Sequence, residues 1–174
     1  MIRPERIAHV VLKVRNLARS RAFYTEVLGM EVMNDSPQAG LLFLANNRRD
    51  HHELALVEMG PDAPSPDRGA IGMAHVAFRL ETQEQLEQAY AELKQREIPI
   101  SFTVNHGITN SVYFFDPDGH ELEVYCDNEP ETFADMPNSY LGMDKLSYAS
   151  SDRGLGDVLR EMGLMADSAT DGDD

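Results

Sequence analysis

The chain repeats itself. At an offset of 66 residues, without gaps, Ile7-Ala8-His9-Val10 lies over Met73-Ala74-His75-Val76. The same offset sets Lys13 on Arg79, Tyr24 on Tyr90 and Glu26 on Glu92, and further on His52-Glu53-Leu54 echoes His120-Glu121-Leu122. A repeat of this length is one supersecondary unit used twice, and each copy must bury its apolar face with help from the other elements of the chain. The repeat therefore restricts the fold to two like modules.

Each module reads as βαβββ. Residues Ile7–Val14 are rich in β-branched side chains and predict a strand. Asn16 is an N-cap, and Leu17, Ser20, Tyr24, Val27 and Leu28 follow helical spacing up to Gly29. Met30–Asn34, Leu41–Ala45 and Glu53–Glu58 predict three short strands between turn-forming clusters. Met59–Gly69 is rich in Pro and Gly and reads as a linker. The pattern then returns: a strand over Met73–Leu80, a helix capped by Thr82 and running to Arg96, and strands at Ile98–Val104, Val112–Phe115 and Glu121–Tyr125. The expected fold is α+β, with two βαβββ modules (5–59 and 70–126) forming one curved mixed sheet around a shared metal cleft. Residues 1–126 make up that domain. Residues 127–174 form an acidic C-terminal extension. In it Leu155, Val158, Leu159, Met162 and Met165 predict a short helix after Asp152, and the last residues are expected to be disordered.

Charge narrows the partners. The net charge is −15. Residues 1–126 carry 18 acidic and 12 basic side chains and residues 127–174 carry 12 and 3, so most of the acidity belongs to the extension. Such a chain is repelled by nucleic acid and by anionic membranes. No apolar run approaches the roughly 20 residues that span a bilayer, and MIRPERIAHV lacks the apolar core of a signal peptide. The single cysteine, Cys126, rules out an intrachain disulfide. A cytoplasmic protein acting on a small molecule is expected, with no nucleic acid and no membrane as partner.

The metal reading rests on one carboxylate and two imidazoles. Glu123 interrupts a strand that otherwise reads Leu122, Val124, Tyr125, and a carboxylate placed there is costly unless something compensates its charge. His9 and His75 occupy equivalent places on the first strands of the two modules. Two His and one carboxylate form a facial triad that leaves half of an octahedral metal open. Such a triad suits Fe(II), with Mn(II) as the alternative, better than Zn(II).

The two-module pattern, the A-H-V strand starts and D-P-D-G-H-E-L-E resemble the vicinal oxygen chelate superfamily, which includes glyoxalase I, type I extradiol ring-cleaving dioxygenases, epimerases and antibiotic-binding proteins. Within it, Asp50-His51-His52-Glu53-Leu54-Ala55-Leu56 resembles the extradiol segment that carries the active-site acid/base histidine, which falls on His52. His106-Gly107-Ile108-Thr109-Asn110 with Tyr113-Phe114-Phe115-Asp116-Pro117 resembles the segment in which a His and a Tyr hydrogen-bond the substrate hydroxyls and oxygen intermediates. The resemblance implies a dioxygenase of aromatic catabolism, with His52, His106 and Tyr113 catalytic and His9, His75 and Glu123 binding the metal. A small aromatic diol and O2 are the implied substrates, and a homo-oligomer is expected. His120, after the D-P-D-G turn, is expected to be structural.

Two other readings remain. A glyoxalase-type lyase or isomerase needs a fourth protein ligand. Aligning His52-Glu53-Leu54 with His120-Glu121-Leu122 sets Ala55 opposite Glu123, and Glu53 could serve only if the register slipped. A non-catalytic small-molecule binding protein has no reason to carry His9, His75 and Glu123 together.

Overall fold

A computed structural model describes residues 1–46, 50–65 and 70–165. The expected disorder of the last residues falls on 166–174 and lies outside the described residues, as does the 66–69 part of the linker. The chain divides into two compact units. The first is Met1–Ala70 together with Asp116–His120; the second is Ile71–Phe115 with Glu121–Asp174.

The first unit holds β1 (Val10–Val14), α1 (Leu17–Glu26), β2 (Glu31–Ser36), β3 (Leu41–Ala45) and β4 (Leu54–Glu58). The second holds β5 (Val76–Arg79), α2 (Gln83–Gln95), β6 (Ile100–Asn105), β7 (Thr109–Phe115), β8 (Glu121–Asp127) and α3 (Leu155–Glu161). The strands form two four-stranded mixed sheets, where one curved sheet was expected. Their orders, β1-β4-β3-β2 and β5-β8-β7-β6, are the same topology twice. In each, the first strand runs parallel to the last and the remaining pairs are antiparallel. No helix among the described residues is long and apolar enough to cross a membrane.

Local chemistry explains the helices. Asn16 Oδ1 accepts the Arg19 amide at 2.8 Å, and Thr82 Oγ1 accepts that of Gln85 at 3.2 Å, so both predicted N-caps are made. α1 ends at Val27, and Gly29, at φ 65°, lets the Met30 amide turn back to the Tyr24 carbonyl. α3 starts at Leu155, the first residue of the apolar spacing, and ends at Glu161, short of Met162 and Met165. Its cap is Gly154, whose amide donates to Asp157, while Asp152 accepts from Tyr90 and Lys94.

Successive side chains of a strand point to opposite faces, and β4 and β8 are buried on both. α1 packs on β3 and β4, and α2 packs on β7 and β8. Leu54 and Leu56, and likewise Leu122 and Val124, are buried, as are Leu17 and Tyr24 of α1 and Leu86 and Leu93 of α2. Ala55 and Glu123 point to the opposite face of their sheets and are also buried. Each fully buried leucine contributes about 1.5–3 kcal/mol.

The D-P-D-G-H turn closes the first unit with a buried polar network. Asp116 accepts Tyr24 Oη at 3.0 Å, His120 Nδ1 at 2.9 Å and the amides of Asp118 and His120. Asp118 accepts Arg15 at 3.1 Å and Arg19 at 2.6 Å. Burial alone would raise the Asp118 carboxyl, but the bonds from Arg19 and Arg15 outweigh it and hold the group below its usual range. The repeated tyrosines have parallel uses: Tyr24 donates to Asp116 and Tyr90 donates to Asp152.

The hydrogen bond to Asp116 raises the pKa of His120. A histidine with a raised folded-state value stabilises fully below its unfolded value of about 6.5, and loses that contribution as pH climbs through the folded value. The gap in thermal midpoint between wild type and His120→Asn should therefore be larger at about pH 6 than at about pH 9. A gap that does not change with pH would show that folding leaves the pKa of His120 unshifted.

Candidate active site

The sequence-derived residues fall into one group in each unit. In the second unit the group is built by register. Tyr113 of β7 stands directly across from Glu123 of β8, Glu123 across from Ala77 of β5, and Phe102 of β6 across from Tyr113. Cross-strand partners share a face, so Phe102, Tyr113 and Glu123 line the face turned away from α2. His75 lies one residue before β5, and its Nε2 is 3.1 Å from Glu123 Oε2. The His75 ring meets Tyr113 edge-on at 5.2 Å, and Phe102 stacks on the other side of the cluster at 4.1 Å from Tyr113. His106, in the turn between β6 and β7, brings Nε2 to 3.4 Å from Tyr113 Oη.

The electrostatics follow from this packing. Burial would raise the Glu123 carboxyl, but the hydrogen bonds from His75, Ser111 and Tyr113 and the charge of His75 together outweigh it and hold the group below the usual carboxylate range. The bond to Glu123 in turn raises His75. Burial, reinforced by the charge of Glu123, pushes the Tyr113 phenol well above its ordinary value. Like any tyrosine, Tyr113 is a hydrogen-bond donor at neutral pH, and its setting extends that range upward.

In the first unit, His9 lies one residue before β1, exposed, with its ring 4.5 Å from that of His52. His52 also meets His51 at 4.4 Å and Phe43 edge-on at 5.0 Å, and its Nδ1 is 2.6 Å from that of His51. Burial, then the neighbouring His51 and His9, lower the His52 pKa, so its imidazole stays neutral. His9 and His75 precede their strands instead of lying within them. The reason is that β1 and β5 are sheet edges with a single neighbour, β4 or β8, whose pairing begins at Val10↔Leu54 and Val76↔Leu122.

The structure therefore joins His75 to Glu123 and His106 to Tyr113, and joins His9 to His52. Among the described residues, no group of three or more His, Cys, Asp or Glu side chains is arranged to hold a metal ion. The His75–Glu123 pair nonetheless fits a divalent cation. Two cis donors each about 2.1 Å from one ion stand about 3 Å apart, and the pair offers one imidazole nitrogen and one carboxylate oxygen at 3.1 Å.

The register also places the repeat's counterpart of Glu123. Val11, offset 66 from Ala77, pairs with Ala55, just as Ala77 pairs with Glu123. The slip that would bring Glu53 into that place does not occur, and Glu53 instead accepts the Asn46 amide at 2.6 Å. Phe102 was not picked out from the sequence. A hairpin turning at His106–Ile108 sets it opposite Tyr113, and that was the available signal.

A family model described as Glyoxalase/Bleomycin resistance protein/Dioxygenase superfamily matches residues 6–124. The chain is 35% identical over 124 residues to biphenyl-2,3-diol 1,2-dioxygenase 3 of Rhodococcus globerulus, covering 71% of this chain and 64% of that protein. It is 31% identical over 128 residues to catechol-2,3-dioxygenase of Bacillus subtilis (strain 168), covering 73% of this chain and 43% of that protein. The matches thus span less than two thirds of those relatives' own lengths. Among solved structures, lactoylglutathione lyase from Agrobacterium tumefaciens aligns with a TM-score of 0.55 at 27% identity, over 71% of this chain and 94% of that one.

Proposed function

This chain belongs to the Glyoxalase/Bleomycin resistance protein/Dioxygenase superfamily, and from that membership we propose that it is an Fe(II)-dependent extradiol dioxygenase of a catechol-type substrate. The observation that carries the reading is the Tyr113 cluster. A phenol kept protonated, an imidazole 3.4 Å from it and a carboxylate–imidazole pair on the same sheet face are what a metal-chelated diol requires. The names of the two curated relatives support the same reaction class.

In this reading His9, His75 and Glu123 hold the iron. A ferrous ion held there would supply the positive charge that makes a catechol hydroxyl more acidic. Tyr113 donates its phenol hydrogen to a substrate oxygen and fixes the ring's orientation. His106 hydrogen-bonds in the same place. His52, its pKa lowered by its setting, takes the substrate proton and returns it as the ring opens, the work to which imidazole is suited near neutral pH. Cleavage beside the diol places both atoms of O2 in a ring-opened product. The setting we propose is cytoplasmic, with the protein working as a homo-oligomer.

A glyoxalase-type lyase is the second reading, favoured by the likeness to the lactoylglutathione lyase structure. Ala55 stands against it, because the place equivalent to Glu123 holds a methyl group that cannot ligate. The two are separated by incubating iron-loaded protein with catechol in air, and separately with a glutathione hemithioacetal without air. We expect turnover in the first only. Turnover in the second only would replace the dioxygenase by the lyase.

A further inference from the structure

The family match ends at residue 124, yet the chain beyond it is built into the candidate site. The outer edge of β6 is covered by the C-terminal segment: the Thr103 amide donates to Arg153 O at 2.9 Å and the Asn105 amide to Asp144 O at 2.7 Å. The same segment grips the turn that carries His106. Gly142 donates to His106 O at 2.9 Å, and Ile108 donates to Ser139 O at 2.9 Å. The approach is too close for side chains. A Cβ on Gly142 would stand 2.5 Å from Asn105 O and 2.5 Å from His106 C. A Cβ on Gly107, which also has φ +101°, would stand 2.7 Å from Ser139 O. Behind the turn, Leu155 and Val158 of α3 pack on Phe102, Val104 and Tyr113. The segment is tied down at its far end by Asp152, which accepts Tyr90 at 2.7 Å and Lys94 at 2.9 Å.

His106 itself has little to orient it. A working imidazole is usually aimed by a hydrogen bond at its second nitrogen. Here Nδ1 is buried and bonds to no group among the described residues. The direction of the ring is thus set by its main chain, and that main chain is held on both sides by the C-terminal segment.

We propose that residues 139–158 are a positioning element that aims His106 at Tyr113, with Gly142 as its closest point of contact. This rests on the assignment of His106 and Tyr113 to ring cleavage, but its test has a reading that does not. Gly142→Ala forces the segment off the turn. In that variant the amides of Asn105 and Ile108 should exchange with solvent at least about tenfold faster, and the His106–Tyr113 ring contact seen by nuclear Overhauser effect should be lost. In the iron-loaded enzyme, kcat for catechol should fall about 100-fold, the scale of a misplacement near 1 Å, with KM within about twofold and iron content unchanged. Asp152→Ala, which loosens the segment away from His106, should move every reading the same way by less, and it serves if Gly142→Ala does not fold. Faster amide exchange with the ring contact and kcat unchanged would overturn the proposal. A wild type that cleaves no catechol but loses its ring contact in Gly142→Ala would overturn the ring-cleavage role and leave the positioning intact.

Discussion

Replacing Glu123 by Gln is expected to strip the protein of iron while leaving it folded. The substitution keeps the shape and removes the charge. In the wild type that charge sits buried in β8, held ionised by His75 at 3.1 Å. Loss of the charged ligand from the proposed site should reduce bound Fe(II) after anaerobic loading to below about a tenth of an ion per chain, and ring cleavage by at least about 1000-fold. Stability should change little. The penalty of about 3–5 kcal/mol for breaking a buried ion pair comes from stranding the remaining charge away from water. Here the remaining side chain, His75, is 36% exposed and can give up its proton. Metal analysis and the thermal midpoint of the metal-free protein measure the two halves of this result. Stoichiometric iron in the variant would remove Glu123 from the ligand set.

His52→Phe should have the next largest effect, and on a different quantity. Phe preserves the aromatic packing against Phe43 and His9 and removes the capacity to carry a proton together with the Nδ1 contact to His51. The wild-type imidazole is kept neutral by burial and by its neighbours His51 and His9, so it can accept a proton where an ordinary histidine is part charged. We expect kcat to fall by about 10²- to 10⁴-fold, the usual worth of a positioned acid/base, with iron content and KM close to wild type. Steady-state kinetics on the loaded variant decide the matter. An unchanged kcat would take His52 out of the reaction.

The fold was legible because the repeat is written in side chains. Asn16 and Thr82 announce the helices, the turn-forming clusters mark off the short strands, and the 66-residue offset announces that the topology occurs twice. The echo of His52-Glu53-Leu54 in His120-Glu121-Leu122 carried the comparison of Ala55 with Glu123, which depends on register and which the pairings Val11↔Ala55 and Ala77↔Glu123 express directly. What the sequence did not carry was hydrogen bonding between strands and the role of the C-terminal segment. Nothing in the side chains says whether eight strands make one sheet or two. The segment grips the His106 turn through the carbonyls of Ser139 and Asp144 and the amide of Gly142, groups that every residue possesses. Only the glycines at 107 and 142, required by close approach, left a trace in the sequence, and a glycine alone does not reveal what approaches it.

Oxygen accounting with labelled O2 tests the ring-cleavage proposal most directly. Protein loaded anaerobically with Fe(II) is mixed with catechol and with 2,3-dihydroxybiphenyl under ¹⁸O2, and the products are examined by mass spectrometry. The account predicts oxygen uptake equal to diol consumed and a ring-opened product carrying both labelled atoms. Stoichiometric iron with neither oxygen uptake nor loss of either diol would contradict it.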